Sequence, residues 1–296
     1  RSSGPPPASP VTTSTPARCS EGAAPCVARA KDLAAHDQPA EAVAILQQVC
    51  HTDDEPLGCS ALARYYLDER NGEPDPKASE EAGRRGILGW IPRCEAKDLE
   101  ACLHLGADFV DLAHDPASAF AVYDLACGYD HADACAEAGT FAQDGAGVPR
   151  DRDLAIQRYL RGCQLKSATG CYYLGLVLQD GKGAAVAIDE QDAVRALSTA
   201  CELRDLRACN NLGIALATGR GVAQDLAAAV EVYLAACAAG HAKSCNNAGA
   251  NIENGNGAAI DLARARALYE RGCDGGSPDA CLRLGVFFDW GMGVAP

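Results

Sequence analysis

The sequence predicts an all-α fold, a solenoid of about seven stacked helix pairs. A period of about 36 residues is marked by an Asp at the start of five successive units, at positions 115, 151, 189, 225 and 261. Six pairs of cysteines, each with seven intervening residues, recur with the same period. The composition is 48% hydrophobic but only 5% aromatic, which favours helices packed through small residues over a β-sandwich or barrel. Repeats of this length are typically helix pairs that bury their apolar faces by stacking.

The chain opens with a segment, residues 1–18, that consists almost entirely of Pro, Ser, Thr, Ala and Gly. Because this composition cannot bury a core, we expect a disordered linker there and the solenoid over 19–296. After a half-unit around Cys26, the expected units are 38–81, 82–114, 115–150, 151–188, 189–224, 225–260 and 261–296. The start at Arg1 and the end inside a repeat loop lead us to expect further sequence on both sides, such as a secretion signal or a lipid or membrane tether upstream.

All 16 cysteines fall into eight local pairs. We expect disulfides that join the two helices of a unit: Cys19–Cys26, Cys50–Cys59, Cys94–Cys102, Cys127–Cys135, Cys163–Cys171, Cys201–Cys209, Cys237–Cys245 and Cys273–Cys281. Zinc is the alternative, but structural zinc sites favour CxxC or Cys/His sets and the chain has no CxxC, so we expect no metal. Disulfides persist in oxidising compartments, which favours the periplasm or the extracellular side.

Each unit repeats the same packing positions. In the first helix an Ala is followed four residues later by Tyr or Leu, as in Ala155 and Tyr159, which places both on one face. The second helix carries a glycine, such as Gly213, that lets a neighbouring helix approach closely. It then ends in a GxG sequence, as at Gly219 and Gly221, which fits a left-handed cap.

The residue four positions before the second cysteine is expected to cap the second helix. The six residues in this slot are Asp98, His131, Ser167, Asp205, His241 and Ser277. The two histidines also suggest a metal or catalytic role, but the capping role is favoured because they share the slot with Asp and Ser. The other histidines form no HxxxH or HExxH set.

Units such as ACNNLGIALATGRGVAQD (208–225) and LAAAVEVYLAAC (226–237) resemble Sel1-like repeats, and the cysteine pair makes them similar to the Helicobacter cysteine-rich protein subfamily. The resemblance covers about residues 38–296. It implies a right-handed α/α superhelix related to tetratricopeptide arrays, and a secreted or periplasmic scaffold for protein or peptide partners without a cofactor. The unit 38–81 departs from the pattern with Ala63 in place of glycine, and the unit 82–114 lacks the GxGV loop.

Several function classes are disfavoured. A net charge of −14 repels nucleic acid and anionic lipid, and no apolar run is long enough to span a membrane. Some relatives are named as penicillin-binding or β-lactamase proteins, so a β-lactam-binding or β-lactam-hydrolysing enzyme is the alternative. The SxxK, KTG and HxHxDH-like sequences of such enzymes are absent, and we expect no catalytic residue. A third possibility is an assembly factor of the mitochondrial intermembrane space, which the Pro- and Ser-rich linker favours less than a bacterial envelope tether.

The resemblance also implies that ligands bind on the concave face, which the second helices line. Positions on this face gather cations, amides and one aromatic ring in an otherwise acidic chain: Arg207, Asn211, Lys243, Asn247, Arg283 and Tyr173. One hypothesis is that the cations bind a carboxylate while the asparagines bind a peptide backbone. The alternative is that the cations are simply solvated and the asparagines cap or pack the helix starts. Tyr172 and Tyr173 are each either part of the core or an aromatic anchor for the ligand.

Overall fold

The fold is described here from a computed structural model that covers residues 19–180 and 190–293. Over these ranges the chain forms 15 α-helices and no β-strand, which confirms the all-α prediction. The expected linker 1–18 and the glycines at 181 and 183 lie outside the described residues. None of the helices within the described ranges is both long and apolar enough to cross a membrane. The chain divides after Val122 into two units, each with its own internal packing.

The first unit contains five helices and the start of a sixth. They are α1 (Ala23–Ala35), α2 (Pro39–Gln47), α3 (Pro56–Leu67), α4 (Pro76–Glu95), α5 (Leu99–Asp111) and α6 (Pro116–Gly128), which spans the division. A π-helical turn, Gln48–Thr52, follows α2, and a 3-10 turn, Glu69–Asn71, follows α3. Four of these helices, α2, α3, α4 and α6, begin with proline, whose fixed φ and missing N–H suit a first turn. Helices α1 to α5 pack in sequence order.

The second unit continues with nine helices of similar length. They are α7 (Ala132–Asp144), α8 (Arg152–Gln164), α9 (Ala168–Asp180), α10 (Glu190–Glu202), α11 (Leu206–Thr218), α12 (Leu226–Ala238), α13 (Ala242–Asn254), α14 (Leu262–Asp274) and α15 (Pro278–Asp289). From α7 to α15 each helix packs on the next along the chain. This sequential packing is that of a helical repeat array, in which each element contacts its neighbours.

The eight expected disulfides are present, and no cysteine is free. Cys19–Cys26 does not join two helices as expected, because Cys19 precedes α1 and Cys26 lies in its first turn. In the six regular pairs the first cysteine lies in the last turn of one helix and the second in the first turn of the next, with Cα atoms 4.3 to 4.7 Å apart. Each bond therefore closes the short turn inside a helix pair. The contacts between successive pairs depend on other residues.

Glycines in the second helices make room for a large side chain of the following repeat. A methyl group added at Gly213 would lie 2.5 Å from Cε1 of Tyr233, which is buried in α12. The equivalent pairs are Gly139 with Tyr159, Gly175 with Leu197, and Gly249 with Tyr269, at 2.6, 2.7 and 2.9 Å. These contacts confirm that the glycines allow close helix approach. Gly285 in α15 differs, because among the described residues no atom beyond its own helix backbone and chain neighbours lies within 4 Å of an added methyl group.

All six expected N-caps are confirmed. His131 Nδ1 accepts a hydrogen bond from the Ala134 N–H at 3.2 Å, and His241 Nδ1 accepts one from the Ser244 N–H at 3.3 Å. A ring nitrogen accepts only while it carries no proton, so both caps require neutral imidazole. At the other helix ends, Gly145, Gly219 and Gly255 adopt the expected left-handed conformation, with φ between 74° and 76°.

Candidate functional site

Arg207, in the first turn of α11, lies against two aromatic rings of α9. Its guanidinium carbon is 4.2 Å from the ring centroid of Tyr172 and 5.8 Å from that of Tyr173. Tyr173 stacks in turn on Tyr159 of α8, with ring centroids 5.3 Å apart. A guanidinium within about 6 Å of a ring face is attracted to its π electrons. The structure therefore brings two of the expected site residues, Arg207 and Tyr173, into one cluster.

The carboxylate of Asp205 pairs with Arg207. Arg207 donates from Nη2 to Oδ2 at 2.6 Å and from Nε to Oδ1 at 3.2 Å, while Oδ1 also accepts the backbone N–H bonds that cap α11. The hydrogen bond to Asp205 is the main reason that the pKa of Arg207 is raised above its usual range. The guanidinium is half exposed but fixed on one edge. A ligand carboxylate at Arg207 would have to compete with Asp205.

The asparagines form a hydrogen-bonded network across successive second helices. Asn247 of α13 donates to Oδ1 of Asn210 in α11 at 2.9 Å, and the Ser244 hydroxyl donates to the same oxygen at 3.3 Å. Asn210 donates to Asn211 at 3.5 Å, and Asn211 hydrogen-bonds the Tyr172 hydroxyl. Asn211 and Asn247 are thus linked through the buried Asn210. Part of their hydrogen-bonding capacity already joins one repeat to the next.

The two remaining cations differ in their surroundings. Lys243 is exposed at the start of α13, and its charge helps to lower the pKa of His241, after the larger effect of burial. Arg283 of α15 lies 4.0 Å from Glu253, which also accepts the Tyr269 hydroxyl hydrogen bond at 2.6 Å. Within the described residues, no hydrogen bond or ion pair joins Lys243 or Arg283 to the Arg207 cluster. The six expected residues therefore form a connected group of four and two separate cations.

Two members of the cluster were not among the expected site residues. Asp205 was expected only as a cap, although its position two residues before Arg207 allows the ion pair. Asn210 was overlooked, although Asn-Asn occurs at the same place in consecutive units, at 210–211 and 246–247. Such a doublet is the signal that could have indicated a side-chain ladder between repeats. Among the described residues no group of three or more His, Cys, Asp or Glu side chains is placed to hold a metal ion.

Comparison with known proteins identifies the repeat. The sequence model of the Sel1 repeat matches residues 132–167, 168–205, 206–241, 242–277 and 278–296, more than half of the chain. The chain belongs to the Sel1 repeat family. Proteins of this family are generally scaffolds for protein–protein interaction and are typically not catalytic. Each matched repeat begins with a second helix, such as α11 or α13, and the first four end at the cap of the next second helix.

Two solved structures, c5321 and a Sel1 repeat protein, have a similar fold. A protective antigen of uropathogenic Escherichia coli strains, c5321, is 22% identical with a TM-score of 0.65 over 83% of this chain and 52% of that one. The chain thus spans about half the length of c5321. A Sel1 repeat protein from Oxalobacter formigenes is 20% identical, with a TM-score of 0.64 over 71% and 87% of the two chains. Helicobacter pylori cysteine rich protein B is 32% identical over 46% of this chain and 96% of its own, with a TM-score of 0.38. A search of curated proteins found no match.

Proposed function

We propose that this Sel1 repeat protein is an extracytoplasmic scaffold that binds a protein or peptide partner through its second helices α9, α11, α13 and α15. The observation that carries the proposal is the cluster of Arg207, Tyr172 and Tyr173 beside the Asn210, Asn211 and Asn247 network. Aromatic rings and a fixed guanidinium are the residue types that contribute most of the binding energy at protein interfaces.

The asparagine amides suit an extended peptide, because each amide offers both a donor and an acceptor, as a peptide backbone does. Asn211 and Asn247 are only half buried, so their polar atoms are in reach of a ligand lying along the helices. Their hydrogen bonds to one another through Asn210 fix the amides before the partner arrives. A preorganised site loses less side-chain entropy on binding.

If the partner carries a carboxylate, we expect Lys243 to be the main residue that binds it. Arg207 and Arg283 already face Asp205 and Glu253, and displacing a carboxylate from an arginine offsets the gain of the new contact. Lys243 is exposed and has no ion pair among the residues described. We therefore expect Lys243 to contribute the charge and Arg207 to contribute mainly its stacked planar surface.

The disulfides support an extracytoplasmic compartment. Eight bonds with no free cysteine indicate an oxidising environment, because cytosolic reductants keep such thiols reduced. We place the protein in the periplasm, tethered to the outer membrane, or secreted. Isolation of the protein from its native source under thiol trapping tests this part, since recovery with free thiols would contradict it.

A capture experiment tests the binding surface. Envelope extract is passed over the immobilised oxidised protein and over the triple variant Arg207→Ala, Lys243→Ala, Arg283→Ala. A control triple variant replaces three exposed arginines outside the second helices, Arg150, Arg195 and Arg264, with alanine. We expect a species that the parent and the control retain and the first variant loses, with unchanged helical circular dichroism. Equal retention by all three would refute the assigned surface, and no retention by the parent would refute the scaffold function in this compartment.

A further inference from the structure

A cavity of about 580 Å³ opens in the first unit, between α1 and α3, with His104 of α5 and the turn after α3 completing its wall. Its floor is apolar and includes Val27, Leu46 and Leu57. Cationic side chains line the same cavity: Lys31, Arg64 and Arg70. The only acidic residue among the lining side chains is Asp68, in a chain with a net charge of −14. This pairing of an apolar floor with cations is absent from the Arg207 cluster.

Arg64 is held in the cavity wall by two carboxylates of α5. It donates from Nη2 to Asp108 Oδ1 and to Asp111 Oδ2, both at 2.9 Å, and from Nε to Asp111 Oδ2 at 3.1 Å. Asp108 is 1% exposed and also accepts the Ser60 hydroxyl, whose oxygen accepts the Trp90 indole N–H at 3.1 Å. Burial raises the pKa of Asp108, against the opposing effects of Ser60 and Arg64. The guanidinium is therefore oriented by a buried network.

Burial of the Asp108 carboxylate between helices costs free energy. Asp108 lies six positions after the second cysteine of its pair, a place that is apolar at Phe141, Val177, Ala215 and Phe287 and polar but uncharged at Asn251. A buried ion pair is often no more stabilising than apolar residues of similar volume. What Asp108 provides that an apolar residue would not is a fixed direction for Arg64.

Other polar groups of the wall are also fixed by contacts within the first unit. The His104 ring stacks on Trp90, with centroids 4.7 Å apart. The Tyr65 hydroxyl donates to the Pro39 carbonyl at 3.1 Å, and Arg70 pairs with Asp68 at 2.6 Å. Supporting contacts of this kind hold the lining in position while the cavity is empty.

We propose that this cavity binds an apolar carboxylate, with the hydrocarbon part on the floor and the carboxylate at Lys31. Arg64 already faces Asp108 and Asp111 and contributes its fixed guanidinium plane to the wall. The volume lies within the range of about 300 to 1,000 Å³ that is usual for small-molecule sites. Two sources share this chemistry: a free organic acid, and the C-terminal residues of a peptide that end in an apolar side chain. The site is independent of the proposed function, because it uses α1, α3 and α5 and none of the residues assigned there.

Binding is measured by calorimetry and by the fluorescence of Trp90, which stacks on the cavity residue His104. The background variant Trp290→Phe removes the second and exposed tryptophan. The probes are octanoate, octanamide, acetyl-Leu-Leu with a free C-terminus, and the same peptide as its amide. We expect saturable binding of at least one acid, and an affinity at least tenfold lower for the matching amide, which lacks the charge. Octanoate alone would identify a free acid, and the peptide alone would identify a chain terminus.

Two variants locate the ligand. Lys31→Ala is expected to lower the affinity for the acid at least tenfold and to leave the amide unaffected, and Lys77→Ala, an exposed lysine of α4 outside the cavity, is the control. Because Arg64→Ala leaves Asp108 unpaired and could unfold the unit, Ala61→Leu serves instead to fill the cavity and should weaken all probes. No binding of either acid, equal binding of acid and amide, or equal affinities of Lys31→Ala and Lys77→Ala would overturn the proposal.

Discussion

Replacing Gly213 with alanine tests the contact that joins successive repeats. The new Cβ would lie 2.5 Å from Cε1 of Tyr233 and 2.8 Å from Cδ1 and Cζ, where ordinary contacts begin near 3.4 Å. Tyr233 is 3% exposed and cannot swing into solvent, so helix α12 must move by up to about 1 Å. Overpacking of this kind costs about 1 to 3 kcal/mol. Alanine regains about 0.5 to 1 kcal/mol over glycine inside a helix, which leaves a net loss of up to about 2.5 kcal/mol.

Gly285→Ala is the matched control, since the same substitution in α15 meets no described atom within 4 Å. Only the helix-propensity gain of about 0.5 to 1 kcal/mol applies there, so this variant should be slightly more stable than the parent. The two variants should differ by the overpacking cost alone. At about 2 to 4 °C per kcal/mol, the melting temperatures from circular dichroism should differ by about 2 to 12 °C. A Gly213→Ala protein that melts as high as Gly285→Ala would refute the close packing of Gly213 on Tyr233.

Three further predictions concern a cap, a buried carboxylate and the disulfides. His241→Ala should cost about 1 kcal/mol at pH 7.5 and less at pH 5. Burial, and to a smaller extent the charge of Lys243, lowers the pKa of folded His241 below its value in the unfolded chain. The cap is therefore fully effective above about pH 6.5 and is lost as the pH falls through the folded pKa. Urea unfolding at both pH values checks this, and an equal cost at both would contradict the capping role. Asp108→Ala should destabilise the first unit by about 3 to 5 kcal/mol, because it leaves the buried hydrogen-bond partners of the carboxylate unpaired. Asp111→Ala removes a more exposed carboxylate and should cost about 1 kcal/mol or less. Similar urea midpoints for the two variants would contradict the network. Excess reductant should lower the melting temperature sharply, since each short loop contributes roughly 2 to 3 kcal/mol in the chain-entropy model, and an unchanged melting curve would show that the bonds are not structural.

The features that the sequence predicted best are those repeated at a fixed spacing. The cysteine pairs, the close packing at Gly213 and the cap at His241 each depend on a short segment or on one neighbouring repeat, and the alignment of units shows them directly. The sequence predicts a cap at His241 because Asp and Ser occupy its slot in other units. Local backbone geometry and periodic packing account for these successes.

The partners of individual polar side chains were less predictable. The sequence places Arg207 among the cations of the concave face. Its pairing with Asp205 and its stacking on Tyr172 depend on side-chain rotamers and on the rotation of α9 relative to α11. The network around Asp108 was missed because its members come from three helices and occur in one repeat only, so the periodic comparison does not reveal them. An acidic residue in a slot that carries no charge in the later units was the available signal.

The packing of glycine on a ring of the next repeat also determines how the array can change in length. Residues 206–241 contain both Gly213 and Tyr233. Removal of this segment therefore deletes one complete glycine contact and leaves the other glycines with their partners in the next repeat. Asp205 would then precede Ala242 directly and cap α13 in place of His241. Cys201 and Cys245 would stand eight residues apart, the separation of every regular disulfide in the chain. One repeat can therefore be deleted or duplicated as a unit. The disulfides, the helix caps and the glycine contacts on either side form again without compensating substitutions.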